Sequence, residues 1–161
     1  MPLYDTIEHY EPILIAIQID QTTDENLRAY LDEQTEIWRR FATRRQKLIF
    51  VVDCSLGTSL NATQREMYAQ WLNEARPLLD ACLVGVAFVM TSALVRGALT
   101  AIFWLARLSA PHVVRKTLPE ALEWALAVAK TQELPLPAEL EHAGLAGFGS
   151  LVSSERMASH P

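Results

Sequence analysis

Residues 51–66, VVDCSLGTSLNATQRE, hold the densest group of side chains that could do chemistry. An apolar run ends on Asp53, and the hydroxyls of Ser55, Thr58 and Ser59 follow around a single glycine. Ligands of open α/β sheets bind outside the carboxyl ends of strands, and the N–H groups that begin a helix favour negative charge. These four polar residues therefore predict an anion-binding or phosphorylated loop. The alternative is an ordinary polar turn, because Asp, Ser, Gly and Asn are the residues that turns use.

Other kinds of site leave no pattern in the sequence. The four histidines stand apart from one another, without the His-x-x-x-His or Cys-x-x-Cys spacing of a metal site. The chain has no Gly-x-Ser-x-Gly nucleophile elbow, no Gly-x-Gly-x-x-Gly turn and no Walker phosphate loop. We therefore expect no catalytic residue, no metal and no cofactor, and a function other than catalysis.

The composition is that of one folded domain. The chain has 161 residues, of which half are hydrophobic and a fifth charged. Its net charge of -5 argues against a general nucleic-acid-binding protein, which normally carries a basic surplus. The N-terminal MPLYDTIEHYEP lacks the basic and apolar regions of a signal peptide, and two cysteines are too few for a disulfide framework. These features predict a cytoplasmic protein.

One apolar segment, residues 83–108, is long enough to span a bilayer. Arg96 lies near its centre, where a charged side chain costs roughly 2.5–3.5 kcal/mol on insertion scales. Thr91 and Ser92 divide the segment into halves of different character. We therefore interpret it as a buried strand followed by a buried helix, and expect no transmembrane segment.

Apolar runs and helical periodicity alternate along the chain. Apolar runs predict strands at residues 13–19, 48–52, 83–90 and 113–115. The runs at 48–52 and 83–90 are nearly continuous rather than alternating, which suits strands covered on both faces. Apolar spacings of three and four predict helices at about 24–45, 63–80, 93–107 and 119–130, and Pro77 is expected to kink or end the second of these early. Thr-x-x-Glu capping patterns begin at Thr22, Thr63 and Thr117. This order predicts an α/β fold, in which a single domain has a four-stranded, largely parallel or mixed sheet and four helices.

The composition changes after Lys130. Residues 132–161 contain LPLP and then small and polar residues, with a helical turn predicted at 138–142. We therefore divide the chain into an α/β domain at residues 1–131 and a C-terminal tail at 132–161. Such a tail is expected to be mobile unless it docks on the domain or on a partner.

The predicted helix at 93–107 is apolar around nearly its whole circumference, and a helix of this kind is normally covered on all sides. A single sheet covers only one side of it. The remaining cover is expected to come from another subunit, from the tail or from a ligand. We favour a protein–protein surface anchored by aromatic residues. The residues predicted for this surface are Leu94, Leu99, Ile102, Phe103 and Trp104.

The order of elements from about residue 11 to residue 130 resembles the STAS family of anti-sigma-factor antagonists and its STAS/SEC14-like relatives. The resemblance rests on a strand that ends in Asp-x-Ser (VVDCS), then on LVGVAFVMTSALVRGALTAIFWL, HVVRK and TLPEALEWA. It implies a small non-enzymatic regulator that binds partner proteins, and some family members are switched by phosphorylation of a loop Ser or Thr. The family's usual Asp-Ser-Ser-Gly phosphosite is approximated here only by Gly57-Thr58-Ser59. The long first helix, in place of the paired strands that open the core family, resembles the SEC14-like variant, whose wider group includes lipid carriers.

Two hypotheses for function follow. The first is a non-enzymatic regulatory, signalling or scaffold domain that acts by protein contact through the helix at 93–107, with a homodimer as one form of that contact. The second is a carrier or sensor of an apolar small molecule or lipid, in which the same helix lines a pocket.

Overall fold

A computed structural model describes residues 2–159; within its last helix, side chains are described for residues 138–142, 147–154 and 157. Met1, His160 and Pro161, of which the last two belong to the predicted tail, lie outside the described residues. The fold is α/β, with one mixed sheet in the strand order β1-β2-β3-β4-β5. These strands are β1 (Tyr4–Ile7), β2 (Ile13–Gln18), β3 (Leu48–Asp53), β4 (Leu83–Val89) and β5 (His112–Arg115). β1 pairs antiparallel with β2, whereas β2 to β5 run parallel to one another.

The helices connect and cover the strands. They are α1 (Asp24–Thr43), α2 (Ala62–Cys82), α3 (Ala93–Leu105), α4 (Leu118–Thr131) and α5 (Ala138–Ser159). The cap of α4 is the predicted Thr117, whose side chain accepts a hydrogen bond from the backbone of Glu120. The other two capping predictions are wrong by one and two residues. Thr23 with Asn26 caps α1, and Asn61 with Gln64 caps α2, each as a reciprocal box.

The two faces of the sheet carry separate apolar cores, because successive strand residues point to opposite faces. One face, here called the cavity face, displays Leu14, Phe50, Val52, Val86 and Phe88 and is covered by α1, α2 and α3. The opposite face, here called the closed face, is covered by α4 and α5. Its strand residues are Ile13, Ile15, Ile17, Ile49, Val51, Ala87 and Val89.

The sheet differs from the prediction in its number of strands. Residues 4–7 form an additional edge strand. The segment YDTI is too short and too polar for its pattern to predict this strand. Its stability comes from pairing with β2, in a register that joins Tyr4 to Gln18 and Ile7 to Ile15. Pro77 is expected to kink α2 or to end it early; the early end does not occur, since the helix continues through Pro77 to Cys82.

The region after α4 also contains more structure than the single helical turn predicted there. α5 begins at Ala138 and runs to Ser159. Leu140, Phe148 and Val152 are buried in the closed-face core, where the ring of Phe148 lies edge-on to Tyr10 at 5.3 Å between centroids. The extra helix raises the helix count above the predicted four.

The apolar segment at residues 83–108 forms β4 and α3, as the sequence predicts. Within residues 2–159, none of the helices combines the length and the apolar character that crossing a membrane requires.

Candidate functional site: an apolar cavity behind helix α3

A cavity lies between the cavity face of the sheet and the layer of helices α1 to α3. It contains about 910 Å³ of atom-free space, part of which is continuous with solvent, and the portion into which the centre of a water molecule fits is about 90 Å³. The cavity is therefore a narrow slot rather than a wide chamber. Its floor is formed by Phe50 and Val52 of β3, by Val86 and Phe88 of β4, and by Met90, which follows β4 directly.

The helices that roof the cavity contribute mainly aromatic and aliphatic side chains. Trp38 lines it from α1, Tyr68 and Trp71 from α2, and α3 contributes Val95, Ala98, Leu99, Ile102 and Phe103. The indole Nε1 of Trp71 donates to Thr35 Oγ1 at 2.9 Å, which fixes α2 against α1. The indole Nε1 of Trp38 is buried and has no hydrogen-bond partner among the described residues.

Polar atoms in the wall gather at one end, where β1, β2 and the loop after β3 meet. We call this the polar end; its residues are Tyr4, Gln18, Thr22, Cys54 and Thr58. The hydroxyl of Tyr4 lies 3.4 Å from Gln18 Oε1 and 3.4 Å from Cys54 Sγ. Gln18 Nε2 donates to the carbonyl of Asp20 at 2.9 Å, which fixes the amide with its oxygen toward Tyr4.

Burial keeps the ionisable groups at the polar end neutral. Desolvation raises the pKa of the Cys54 thiol to about 12, a shift that the hydrogen bond from Tyr4 opposes and the nearby Asp53 carboxylate reinforces. Burial likewise raises the pKa values of Tyr4, Tyr30 and Tyr68. At neutral pH this end therefore offers a thiol and phenols, without a thiolate nucleophile or a phenolate base.

The loop after β3 closes over the polar end at Gly57. A Cβ atom at this position would lie 2.7 Å from Gln18 Oε1 and 2.9 Å from the carbonyl oxygen of Cys54. The backbone N–H of Gly57 donates to that same carbonyl at 2.9 Å, which makes the turn tight. Only a residue without a side chain fits here unless both the glutamine and the Cys54 carbonyl move.

The four residues of the predicted anion loop have different environments. Asp53 is buried and accepts a hydrogen bond from the backbone of Ser55 at 2.9 Å, as in an ordinary Asx turn. Ser55, Thr58 and Ser59 are all exposed, and of these three Thr58 also lines the cavity. The first turn of α2 is already capped, because Gln64 N donates to Asn61 Oδ1 at 2.9 Å. The loop geometry therefore agrees with the polar-turn interpretation and provides no further support for an anion site.

The five residues predicted for the interaction surface of α3 divide between two sides of the helix. Leu99, Ile102 and Phe103 face inward and line the cavity. Leu94 and Trp104 face outward and are 71% and 85% exposed, beside Leu105 at 57%. We call these three exposed residues the outer face of α3. The tail does not cover it, because α5 packs against α4 on the closed face.

Apart from Thr58, which belongs to the predicted loop, sequence reasoning missed the polar end, and it missed most of the cavity wall. One signal was present, since Gln18 closes ILIAIQ, a strand whose six residues are all buried. A buried glutamine needs hydrogen-bond partners, so its position already marks an unusual site. Tyr4 gives no comparable signal, because it belongs to a strand that the pattern does not predict.

The residues that the structure describes contain no group of three or more His, Cys, Asp or Glu side chains placed to hold a metal ion. The arrangement can desolvate an apolar molecule and hydrogen-bond a polar group of that molecule at one end.

The sequence matches no protein-family model, and a comparison with the curated proteins finds no similar sequence.

Proposed function

We propose that the protein is a non-enzymatic sensor or carrier that binds an apolar small molecule in the cavity behind α3. The observation that carries the proposal is a cavity walled by aliphatic and aromatic side chains with polar atoms gathered at one end. Small-molecule sites have this character: they are concave and mostly apolar, with a few polar groups that orient the ligand.

One energetic feature supports occupation of the cavity. An unfilled apolar cavity costs a fold about 24 cal/mol per Å³, which is roughly 2 kcal/mol for a space of about 90 Å³. A ligand that fills the space would recover part of that cost.

The proposal is tested with the cavity-filling substitution Ala98→Leu. Ala98 lines the cavity from α3, so a larger side chain occupies ligand space. Ala127→Leu makes the same change at an exposed position of α4 and is the matched control. Titration with the neutral apolar dye N-phenyl-1-naphthylamine is expected to show binding to wild type and Ala127→Leu, and at least ten-fold weaker binding to Ala98→Leu.

Native mass spectrometry of the purified protein complements this titration. We expect a co-purified small molecule on wild type and less of it on Ala98→Leu. Equal dye binding by all three proteins, or absence of both dye binding and co-purified mass, would contradict a ligand cavity.

A second candidate function is protein contact through the outer face of α3, with a second copy of the chain as the partner. It is favoured by Trp104, Leu94 and Leu105, which expose a large apolar area on one short helix. Such residues anchor interfaces when a partner covers them. Light scattering is expected to show a dimer for wild type and a monomer for Trp104→Asp. Met157→Asp, at an exposed apolar position of α5, is the control that should remain dimeric; a monomeric wild type contradicts this candidate.

The resemblance to the STAS and SEC14-like group is retained as part of the proposal. It is supported by the order of the parallel strands, in which each new strand is added beside the preceding one. The pairing of β1 with β2 supports the core family, which opens with paired strands. It also corrects the expectation that the long first helix stands in place of those strands, so the leaning toward the SEC14-like variant loses this support. Regulation through a partner and binding of an apolar molecule are both compatible with that group.

A further inference from the structure

The chemistry of the polar end narrows the class of ligand that the cavity would take, if the cavity binds a ligand as proposed. Among the residues that the structure describes, the wall contains Tyr, Trp, Gln, Thr and Cys side chains beside its apolar residues, but no Lys, Arg, His, Asp or Glu. A charged head group placed inside would therefore lose its hydration without gaining an ion pair, which is strongly unfavourable.

One further feature opposes an anionic head group in particular. The Asp53 carboxylate lies close enough to the polar end to raise the pKa of Cys54, so the local field already disfavours negative charge. A carboxylate or phosphate head would find no cation there.

A neutral polar group, by contrast, finds hydrogen-bond capacity at this end. The hydroxyl of Tyr4 donates to Gln18 Oε1 only at 3.4 Å, whereas a good hydroxyl hydrogen bond to oxygen is about 2.7–2.8 Å long. Its contact with Cys54 Sγ, also at 3.4 Å, is of ordinary length for sulfur, and either atom can be the donor. The weak contact between Tyr4 and Gln18 therefore leaves Gln18 Oε1 underused, and one group that both donates and accepts could bridge the two side chains.

We infer that the ligand class is an uncharged amphiphile, in which an apolar body fills the slot and a hydroxyl or similar neutral polar group meets Tyr4 and Gln18. Long-chain alcohols have this chemistry, whereas ionised fatty acids and alkylamines do not. Gln18 and Tyr4 are then the residues that determine specificity, and the helices around Trp38 and Trp71 form the apolar part of the site.

The test compares three probes of equal chain length, 1-decanol, decanoate and decylamine, at pH 7.5. Trp38 and Trp71 line the cavity, so binding is followed by tryptophan fluorescence and checked by calorimetry. Decanol is expected to bind at least ten-fold more tightly than either charged probe. Equal or tighter binding of decanoate or decylamine overturns the inference while leaving the cavity proposal intact. Failure of all three probes to bind counts against the cavity proposal itself.

Two substitutions locate the polar group of the ligand. Gln18→Met retains the approximate volume of the side chain and Tyr4→Phe retains the ring, but each removes a hydrogen-bonding group. Each is expected to weaken decanol binding about 5- to 10-fold, the usual worth of one hydrogen bond, while binding of the apolar dye stays unchanged. Either variant alone is sufficient if the other fails to fold. Unchanged decanol affinity in a folded variant shows that the polar group lies elsewhere and overturns the assignment.

Discussion

The two faces of the sheet are covered by helices in different ways. On the closed face, α4 places three alanines, Ala121, Ala125 and Ala129, against the strands, and all three are fully buried. Side chains this small let the helix approach closely, and at Gly85 an added Cβ would lie 2.7 Å from the ring of Trp124. On the cavity face, large side chains separate helices and sheet. The cavity-lining residues in the described part of the chain include none from α4 or α5.

This difference places the closely packed core on one face of the sheet and the candidate site on the other. A closely packed face has no space for a ligand, but its dispersion contacts and buried area hold the sheet together. The cavity face is less closely packed. The unpaired indole donor of Trp38, the neutral thiol of Cys54 and the long contact between Tyr4 and Gln18 all lie on this face. Substitutions on the two faces should therefore have different consequences.

The largest expected effect is on the closed face, from Phe148→Ala. Phe148 is fully buried and packs edge-on against Tyr10, so its removal leaves a cavity beneath α5. The free energy of unfolding should fall by about 3–5 kcal/mol, as measured by urea denaturation. Phe103→Ala is the counterpart on the cavity face, where the ring is only half-buried and borders existing space, and its loss should be smaller. A greater loss at Phe103 would reverse the comparison.

Enlarging an alanine on each face should give the second largest effect. Ala125→Leu inserts three carbons between α4 and the sheet, where no space exists, and should destabilise the fold by about 1–3 kcal/mol. Ala98→Leu extends into the cavity, so the free energy of unfolding should stay within about 1 kcal/mol of wild type. Thermal and urea unfolding of the two variants measure the difference. If both variants lose the same stability, the two faces are equally packed.

The sequence predicts the central elements of this fold because their stabilising pattern is local. Long apolar runs give β2, β3 and β4, and the three-and-four spacing gives α1 to α4. β1 and α5 are not predicted from the sequence because contacts with distant residues stabilise them. The four residues of β1 are ordered by pairing with β2. The glycine-rich segment of α5 forms a helix whose Phe148 packs against Tyr10.

The candidate site was predictable only in part, for the same reason. The excess apolar surface of the helix at 93–107 shows that α3 has two apolar sides, but not that Leu99 lines a cavity while Trp104 faces outward. The polar end combines Tyr4, Gln18 and Cys54, which are up to 50 residues apart and meet only because three strands are adjacent. Volume between elements has no pattern in the sequence, since it depends on how far large side chains hold the layers apart.

The smallest effect expected is a dependence of stability on alkaline pH over the measured range, pH 8 to 10, and it originates on the cavity face. The folded pKa of Cys54 is about 12, above its ordinary value near 9, so folding favours the protonated thiol. The contribution is fully present below pH 9. It is lost as pH rises from 9 toward 12, because the unfolded chain releases the proton first. The slope is at most about 1.4 kcal/mol per pH unit.

Cys54→Ser isolates this contribution, because serine does not titrate in this range and keeps a hydrogen-bonding group beside Tyr4. Urea unfolding at pH 8, 9 and 10 should show wild-type stability falling more steeply between pH 9 and 10 than that of the variant. Tyr4, Tyr30 and Tyr68 add a loss of the same sign in both proteins, chiefly above pH 10, since burial raises their pKa values as well. Identical slopes between pH 9 and 10 would mean that water hydrates the thiol. The polar end would then be open to solvent, and its preference for a neutral head group would lose its physical basis.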